Sequence, residues 1–180
     1  MTRILGLDPS LHTTGYGVVE CEGPLLRLLE GGVIVPGRSG TLPERLSELQ
    51  RGLSDVIHAL RPDVVVIEEI FARTAYPRTA ILMAHARGAL VCTAAHNGMP
   101  VFDYSATAVK RALVGNGQAS KDQVAAMVVQ ALRLRARPTP ADVTDALALA
   151  IAHARRTSGR IARSAAPARD GRSPIRMGRR

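Results

Sequence analysis

The feature that most constrains the fold is an acidic residue at the end of an apolar segment near the N-terminus. Residues 3–8 read Arg-Ile-Leu-Gly-Leu-Asp and are followed by Pro9 and Ser10. The apolar run predicts a short buried strand, and the Pro-Ser pair predicts a turn. Because an ionised carboxylate at the tip of a buried strand needs partners or a cation, Asp8 is the first candidate site residue.

Length and composition predict one folded domain. The chain has 180 residues, of which 46% are hydrophobic, and this is enough for one core but not for two ordinary domains. There is no basic and apolar leader, and charged residues interrupt the longest apolar runs. We therefore expect neither a signal peptide nor a membrane span, and a cytoplasmic protein. Cys21 and Cys92 lie in apolar segments, and we expect buried, reduced thiols.

The positive charge is concentrated at the C-terminus. The formal net charge is +9, yet residues 155–180 hold nine arginines against the single acid Asp170. The rest of the chain is left with a net charge of +1. We predict a folded domain over 1–157 and a basic, disordered tail over 158–180, because such a composition cannot bury enough apolar surface. The tail suits a polyanion, and a solvated terminus without a function is the alternative.

The order of the predicted elements indicates an α/β fold. After the first strand, we predict strands over 15–21, 25–35, 63–68 and 101–104, and helices over 41–61, 77–96, 106–114, after Ser120, and from Pro140 as the first helical position. Gly31 and Gly32 predict a bulge or bend in the third strand. Three strands as an antiparallel meander, then strands that alternate with helices, match a five-stranded mixed sheet flanked by helices. This is the ribonuclease H-like arrangement.

The strand over 63–68 should bring a second acid to Asp8. Its β-branched run is typical of a strand covered on both faces, and the helix before it predicts a parallel crossover. If its neighbour is the first strand, Glu68 emerges beside Asp8 at the carboxyl edge of the sheet. Glu69 points to the opposite face and is not expected to join them.

The last helix supplies two further acids. Asp142 and Asp145 are three residues apart and therefore lie on one side of a helix. Capping of the first helical turn is an alternative role for Asp142. Asp145 precedes seven consecutive apolar residues, so we expect it to face inward, where an unpaired carboxylate is costly. His153, two turns later, is expected on the helix surface.

Clustered carboxylates without Cys or His ligands favour a hard cation, and we expect Mg²⁺. Two such ions can activate water and stabilise the leaving oxygen in phosphodiester hydrolysis.

The helix over 77–96 is apolar on nearly all sides, which leaves two interpretations open. One face packs on the sheet and the other on a second subunit, or the helix is central within a monomer.

The motifs resemble, in order and spacing, the RuvC family of bacterial Holliday junction resolvases. The resemblance covers about residues 3–155, and its motifs are residues 4–10, 14–18, 62–68, 86–88, 109–110, 114–117, 119–124 and 141–148. It implies a homodimer that binds a four-way DNA junction and nicks two opposing strands by Mg²⁺-dependent hydrolysis, with Mn²⁺ as a substitute. It also implies the RuvA–RuvB branch-migration complex as a partner.

The resemblance assigns roles to individual residues. Asp8, Glu68, Asp142 and Asp145 fall on the family's metal-binding catalytic positions. Of the expected DNA contacts, Phe71 falls on the aromatic that stacks on bases near the crossover, Lys110 and Lys121 fall on basic positions near the cut, and Arg73 lies in the junction-facing loop. That loop is one residue longer than usual, with Tyr76-Pro77 in place of small or polar residues. Ala84-His85 stands where the family has Gly-Gln, and Ser10 where it has glycine.

Two other functions compete with a nuclease. The Gly-x-Asp-Pro-Ser opening is also similar to the phosphate loop of actin- and Hsp70-like ATPases, which need a second, duplicated domain that we do not expect in 180 residues. A non-catalytic junction-binding protein is the other. We would expect such a protein to have lost one of the four acids, and all four are present.

Overall fold

The computed structural model describes residues 1–70 and 77–164, with side chains for 1–70 and 78–157. Its elements are β1 (Thr2–Asp8), β2 (Thr14–Glu22), β3 (Leu25–Ile34), α1 (Leu42–Leu60), β4 (Val64–Glu68), α2 (Pro77–His96), β5 (Val101–Tyr104), α3 (Ala106–Val114), α4 (Lys121–Ala131) and α5 (Ala141–Ser164). The predicted α/β class is confirmed. Within these ranges no helix has the length and apolar character needed to cross a membrane.

The five strands form one mixed sheet in the order β3-β2-β1-β4-β5. β1 pairs with β2, and β2 with β3, in antiparallel orientation, so the predicted meander is confirmed. β4 lies parallel to both β1 and β5, as the crossover through α1 required. The carboxyl ends of β1, β4 and β5 therefore meet at one edge of the sheet, as in the ribonuclease H-like arrangement.

Helices cover both faces of the sheet. Alternate residues of the strands point to opposite faces, so Ile4 and Val66 pack towards α3, α4 and α5, whereas Leu5 and Val65 pack towards α1 and α2. Helix α1 begins with the predicted cap, in which Glu44 accepts hydrogen bonds from the N–H and hydroxyl groups of Thr41. The cores on the two faces hold the central strands rigidly between them.

Two glycines let α5 lie directly on β1 and β2. A Cβ atom on Gly6 would collide with the backbone carbonyl of Ala146, and one on Gly15 would collide with the backbone of Asp142. Gly15 is the register partner of Asp8 across the β1–β2 pair. The absence of side chains at these two positions therefore brings the first turns of α5, with their acids, against the carboxyl end of β1.

The predicted bulge at Gly31 and Gly32 is wrong. Both glycines pair regularly with β2, and the irregularity in the ladder lies between Val18 and Val19. Gly32 is required for a different reason, since a Cβ atom there would lie 2.8 Å from the hydroxyl oxygen of Tyr16. Glycine in this strand makes room for a cross-strand ring rather than bending the chain.

The last helix differs from its prediction at its start. Pro140 is not the first helical residue, because α5 begins at Ala141 and the carbonyl of Pro140 accepts the N–H of Val143 at 3.1 Å. Asp142 does lie in the first turn, as expected. At the other end α5 continues to Ser164, past the predicted domain boundary at 157. The remainder of the predicted tail lies outside the described residues.

Helix α2 is buried on one face only. Ala86, Leu90 and Ala94 are buried in the core beneath the sheet, whereas Ile81 is 56% exposed on the outer face. The reading of α2 as a central helix within the monomer is therefore wrong. Cys92 also lies exposed on this helix and Cys21 is half-buried, so both thiols are free, as expected, but not fully buried.

Candidate active site

Asp8 and Glu68 lie side by side at the carboxyl edge of the sheet. The parallel register pairs Leu7 with Ile67, so the next residue of each strand is one of the two acids. Both side chains are partly buried, and the charge of Glu68 acts on the Asp8 carboxyl. The position predicted for this pair is confirmed.

The loop that follows Asp8 is held by short-range hydrogen bonds. The hydroxyl of Thr14, which is fully buried, accepts the N–H of Ser10 at 3.1 Å and donates to its carbonyl at 2.6 Å. A guanidinium nitrogen of Arg45 in α1 donates to the carbonyl of Leu11 at 2.6 Å. These contacts fix the turn predicted from Pro9 and Ser10, and with it the direction of the Asp8 carboxylate.

Helix α5 brings the other two acids to the same edge. The backbone of Asp142 lies against Gly15, and Asp145 is one turn further along the helix. The charges of both acids act on the Asp8 carboxyl. The Asp145 side chain is 31% exposed and accepts a hydrogen bond from the Lys121 ammonium at 3.2 Å. All four predicted acids therefore converge.

The electrostatics of this edge are dominated by uncompensated negative charge. Burial first, and then the charges of Glu68, Asp145 and Asp142 in that order, together raise the pKa of Asp8 from 3.8 to about 8, against a smaller opposing effect of Lys121. Burial and then Asp145 also raise the pKa of Glu68. Asp145 raises the pKa of Lys121, which therefore stays protonated. Among the described side chains, Lys121 is the cation that opposes these effects at both Asp8 and Glu68.

Both predicted lysines stand at the rim of the site. Lys110 on α3 and Lys121 on α4 line a cavity of about 120 Å³ together with Glu68 and Asp145. Ala106, Val109, Val124, Ala148 and Leu149 form its apolar wall. The cavity thus has two ammonium groups facing two carboxylates, which is a suitable setting for a phosphate group beside a cation.

The donor set fits a divalent cation. Four carboxylates are hard oxygen ligands, and a cation bound here would favour the ionised form of Asp8, whose pKa burial and the neighbouring acids raise to about 8. Among the side chains of residues 1–70 and 78–157, no group of three or more acidic, His or Cys residues is positioned to hold a metal ion as it stands. Mutual repulsion of the acids, with Asp145 turned to Lys121, accounts for this open arrangement.

The sequence did not reveal what Arg87 does. From α2, its Nε donates to the carbonyl oxygen of Glu68 at 3.0 Å, and its guanidinium forms an ion pair with Asp103 of β5. Arg87 therefore ties the carboxyl ends of β4 and β5 to α2 and holds the backbone of Glu68. The signal in the sequence was an arginine within an otherwise apolar helix.

One further residue from the sequence analysis lies in the core, and two predicted DNA contacts lie outside the described residues. His153 is buried rather than on the helix surface, because its ring packs on Phe102 and the Tyr104 hydroxyl lies 3.2 Å from its Nδ1. Its role is in packing between α5 and β5. Phe71 and Arg73, the predicted stacking ring and loop contact, lie outside the described residues.

A ribonuclease H-like sheet with acids at its carboxyl edge defines a divalent-metal-dependent nuclease. The family model described as crossover junction endodeoxyribonuclease RuvC matches residues 4–153. This chain therefore belongs to the RuvC family, and the ATPase alternative is wrong.

Individual relatives agree over most of their length. The crossover junction endodeoxyribonuclease RuvC of Rhodopirellula baltica is 49% identical over 148 residues, which cover 82% of this chain and 83% of that protein. The RuvC of Bordetella avium is 43% identical and covers 98% of both chains. Among solved structures, T. thermophilus RuvC in complex with a Holliday junction substrate superposes with a TM-score of 0.82 at 35% identity, covering 88% of this chain and 96% of that one.

Proposed function

We propose that this protein resolves four-way DNA junctions by hydrolysing phosphodiester bonds at the carboxylate edge. The observation that carries the proposal is the convergence of Asp8, Glu68, Asp142 and Asp145 with a pKa of about 8 at Asp8. A structural role would place a counter-charge beside each buried acid, whereas a metal site leaves the acids to be balanced by the cation.

The four acids would hold Mg²⁺, two ions per active site, with Mn²⁺ as an alternative. Bound ions of this kind activate water and stabilise the leaving oxygen of a phosphodiester. Asp8 and Glu68, fixed at adjacent strand ends, provide the rigid half of the ligand set. Asp142 and Asp145 provide the half that depends on the docking of α5.

Lys110 and Lys121 would contact the phosphate next to the cut. Both line the cavity that Glu68 and Asp145 share, so a phosphate there would lie between ammonium groups and carboxylate-bound cations. Asp145, which is paired with Lys121, would be a ligand of the metal, and the Lys121 ammonium would contact a phosphate of the DNA. We further propose that Phe71 stacks on a base near the crossover and that Arg73 contacts the junction.

We propose that the protein acts as a homodimer through the outer face of α2. Ile81 is 56% exposed there, and His85 and Cys92 follow it on an otherwise small-residue and apolar surface. A second copy on this face would give one active site for each of two opposing strands. This arrangement accounts for paired nicks, each made by one subunit.

The oligomeric state tests this interface directly. Ile81→Asp would bury a charge between the subunits, and we expect a shift from dimer to monomer in sedimentation velocity. Leu25→Asp is the matched control, because Leu25 is 60% exposed on the edge strand β3. If both the Ile81→Asp and the Leu25→Asp variants remain dimeric, the interface does not include the outer face of α2.

We also propose a cytoplasmic location and the RuvA–RuvB branch-migration complex as a partner, both from family membership. The basic C-terminal segment would add contacts to DNA. Deleting residues 158–180 is then expected to weaken junction binding mainly at low salt, and an unchanged salt dependence would remove the segment from DNA binding.

The proposed activity is tested by mapping cuts on an end-labelled synthetic four-way junction, with linear duplex alongside and with Mg²⁺ or EDTA. We expect symmetric, metal-dependent nicks on two opposing strands of the junction alone. Tight binding without nicks would support a non-catalytic junction-binding protein. Equal cutting of linear duplex would contradict selectivity for junctions.

A further inference from the structure

Helix α4 connects the active-site edge of the sheet with the opposite edge. At its N-terminal end, Lys121 contacts Asp145. At its C-terminal end, Ala131 and Leu132 line a cavity of about 810 Å³ with Met1 and Arg3, which lie at the start of β1. The 11 residues of α4 correspond to about 16 Å, so this helix spans the height of the sheet.

The segment after α4 returns along the same path and carries an arginine at every second position. Arg133, in the left-handed region at φ 53°, turns the chain at the far edge and lines the same cavity. Arg137 reaches the near edge, where its Nη1 donates to Asp122 at 2.9 Å, next to Lys121. Arg135 lies between them, and all three arginines are exposed.

The return segment is anchored, so these arginines are presented on a defined surface. Leu134 packs against the core formed by α3, α4 and α5. The carbonyl of Pro138 accepts the hydroxyl of Thr144 at 3.1 Å. Arginines held in this way lose less conformational entropy on binding than those of a free chain.

The local charge is strongly positive in a body that is nearly neutral. We define the basic stripe as Lys121, Arg133, Arg135 and Arg137. The acid in contact with its arginines is Asp122, which is 89% exposed. At the far edge, Glu20 is already paired with both Arg3 and Arg27. The stripe is therefore a row of cationic side chains that begins at the active site and extends away from it in one direction.

We propose that the basic stripe binds the phosphate backbone of one duplex arm of the junction as it leaves the active site. This inference rests on the proposed function. A length of about 16 Å corresponds to about five phosphates of one strand at 3.4 Å per base pair. Arginines on such a path contact phosphates without reading bases, so the stripe fixes the direction of the arm rather than the sequence that is cut.

The experiment compares the salt dependence of junction binding, measured in EDTA, for three triple variants. Arg133→Gln, Arg135→Gln and Arg137→Gln together remove the arginines of the stripe, and the corresponding lysine triple keeps their charge. The control triple replaces Arg38, Arg51 and Arg61 by Gln, which removes the same charge from exposed positions on and around α1, on the other face of the sheet. Thermal unfolding confirms that each variant is folded.

We expect the slope of log K against log salt to become shallower by about 1 to 3 in the glutamine triple, since each phosphate contact contributes about 0.9. The lysine triple should keep the wild-type slope, because lysine also binds phosphate as a point charge. Cutting at saturating junction should stay at the wild-type rate in all three. Equal slopes in the stripe and control triples would overturn the inference, whereas wild-type protein that neither binds nor cuts junctions would overturn the proposed function itself.

Discussion

The two edges of the sheet each hold a partly buried carboxylate, and the pKa values of these two carboxylates are shifted in opposite directions. At the amino edge of β1, the Glu20 side chain is 9% exposed and accepts hydrogen bonds from Arg27 at 2.6 Å and Arg3 at 3.3 Å. These arginines hold the pKa of Glu20 below its ordinary value. At the carboxyl edge, burial and the charges of Glu68, Asp145 and Asp142 raise the pKa of Asp8 to about 8, and among the described residues Lys121 is the cation that opposes them.

The difference teaches how a structural acid and a site acid are told apart. Burial alone does not distinguish them, because neither carboxylate is freely exposed. The distinction lies in the counter-charge: among the described residues, Arg3 and Arg27 supply it at Glu20, whereas at Asp8 the neighbouring acids outweigh Lys121. An edge where the fold keeps several acids together without their partners is an edge that is completed by a cation.

The largest expected effect is on the rate of junction cutting, which a substitution at the carboxyl edge should lower and a substitution at the amino edge should not. Asp145→Asn removes one proposed metal ligand, and we expect cutting of a four-way junction to fall by at least about 100-fold while junction binding stays intact. The matched change at the amino edge, Glu20→Gln, should leave the rate of cutting within about threefold. Single-turnover cleavage at saturating enzyme measures both.

Equal rates of cutting in the two variants would contradict the proposed difference between the two edges. Normal cutting by Asp145→Asn would remove Asp145 from the mechanism. A loss of cutting in Glu20→Gln protein that is still folded would show that the amino edge contributes to catalysis and does not merely hold the strands together.

A second prediction concerns the residue that positions Glu68. Arg87→Ala removes the hydrogen bond to the Glu68 carbonyl and the ion pair with Asp103. We expect cutting to fall by about 10- to 100-fold, with a higher Mg²⁺ concentration for half-maximal rate, because supporting residues tune ligand position. A metal titration of the cleavage rate measures this, and an unchanged half-maximal concentration would contradict a positioning role.

A third prediction concerns the docking of α5. Gly6→Ala places a Cβ atom against the Ala146 carbonyl, and we expect the free energy of unfolding to fall by about 1–3 kcal/mol or more. Gly37→Ala is the control, since its Cβ atom would make an ordinary contact of 3.5 Å with Glu48. Urea denaturation compares the two. Equal stabilities would show that α5 does not depend on this close approach.

The last prediction concerns the pH dependence of stability. The folded Asp8 keeps its proton up to about pH 8, whereas in the unfolded chain it loses the proton above its ordinary pKa of 3.8. The unfolded state therefore binds fewer protons in this window, and Asp8 lowers the free energy of unfolding by up to about 1.4 kcal/mol for each pH unit as pH rises from about 4 to 8. Below the window and above it, the contribution is constant.

Asp8→Asn removes this titration. Thermal unfolding should show the variant gaining stability over wild type as pH rises through the window, with little difference near pH 4. Mg²⁺ at pH 8 should raise the unfolding temperature of wild type more than that of the variant. Parallel pH profiles for the two proteins would mean that Asp8 is not held protonated by its neighbours.

Much of the fold and the four acids could be predicted from the sequence because local and global signals agree. The β-branched run of β4 and the helix before it predicted a parallel neighbour, and Glu68 was expected beside Asp8 if that neighbour was β1, which the register shows. The three-residue spacing of Asp142 and Asp145 placed both on one side of α5. Each inference used only a short stretch of chain.

What the sequence did not reveal depends on contacts between distant elements. The role of Arg87 needs the position of the Glu68 carbonyl across the sheet, and the role of Gly6 needs the path of α5. The burial of His153 depends on Phe102 and Tyr104, which lie about 50 residues away in the chain. Helical periodicity describes one helix and carries no information on the partner that covers it.

The central claim is that the carboxylate edge holds divalent metal, and anomalous diffraction from crystals grown with Mn²⁺ tests it most directly. The account predicts anomalous density beside the carboxylates of Asp8, Glu68 and Asp145, and its loss in Asp145→Asn crystals grown under the same conditions. Crystals of protein that cuts junctions with Mn²⁺, yet shows anomalous density only away from this edge, would contradict the account.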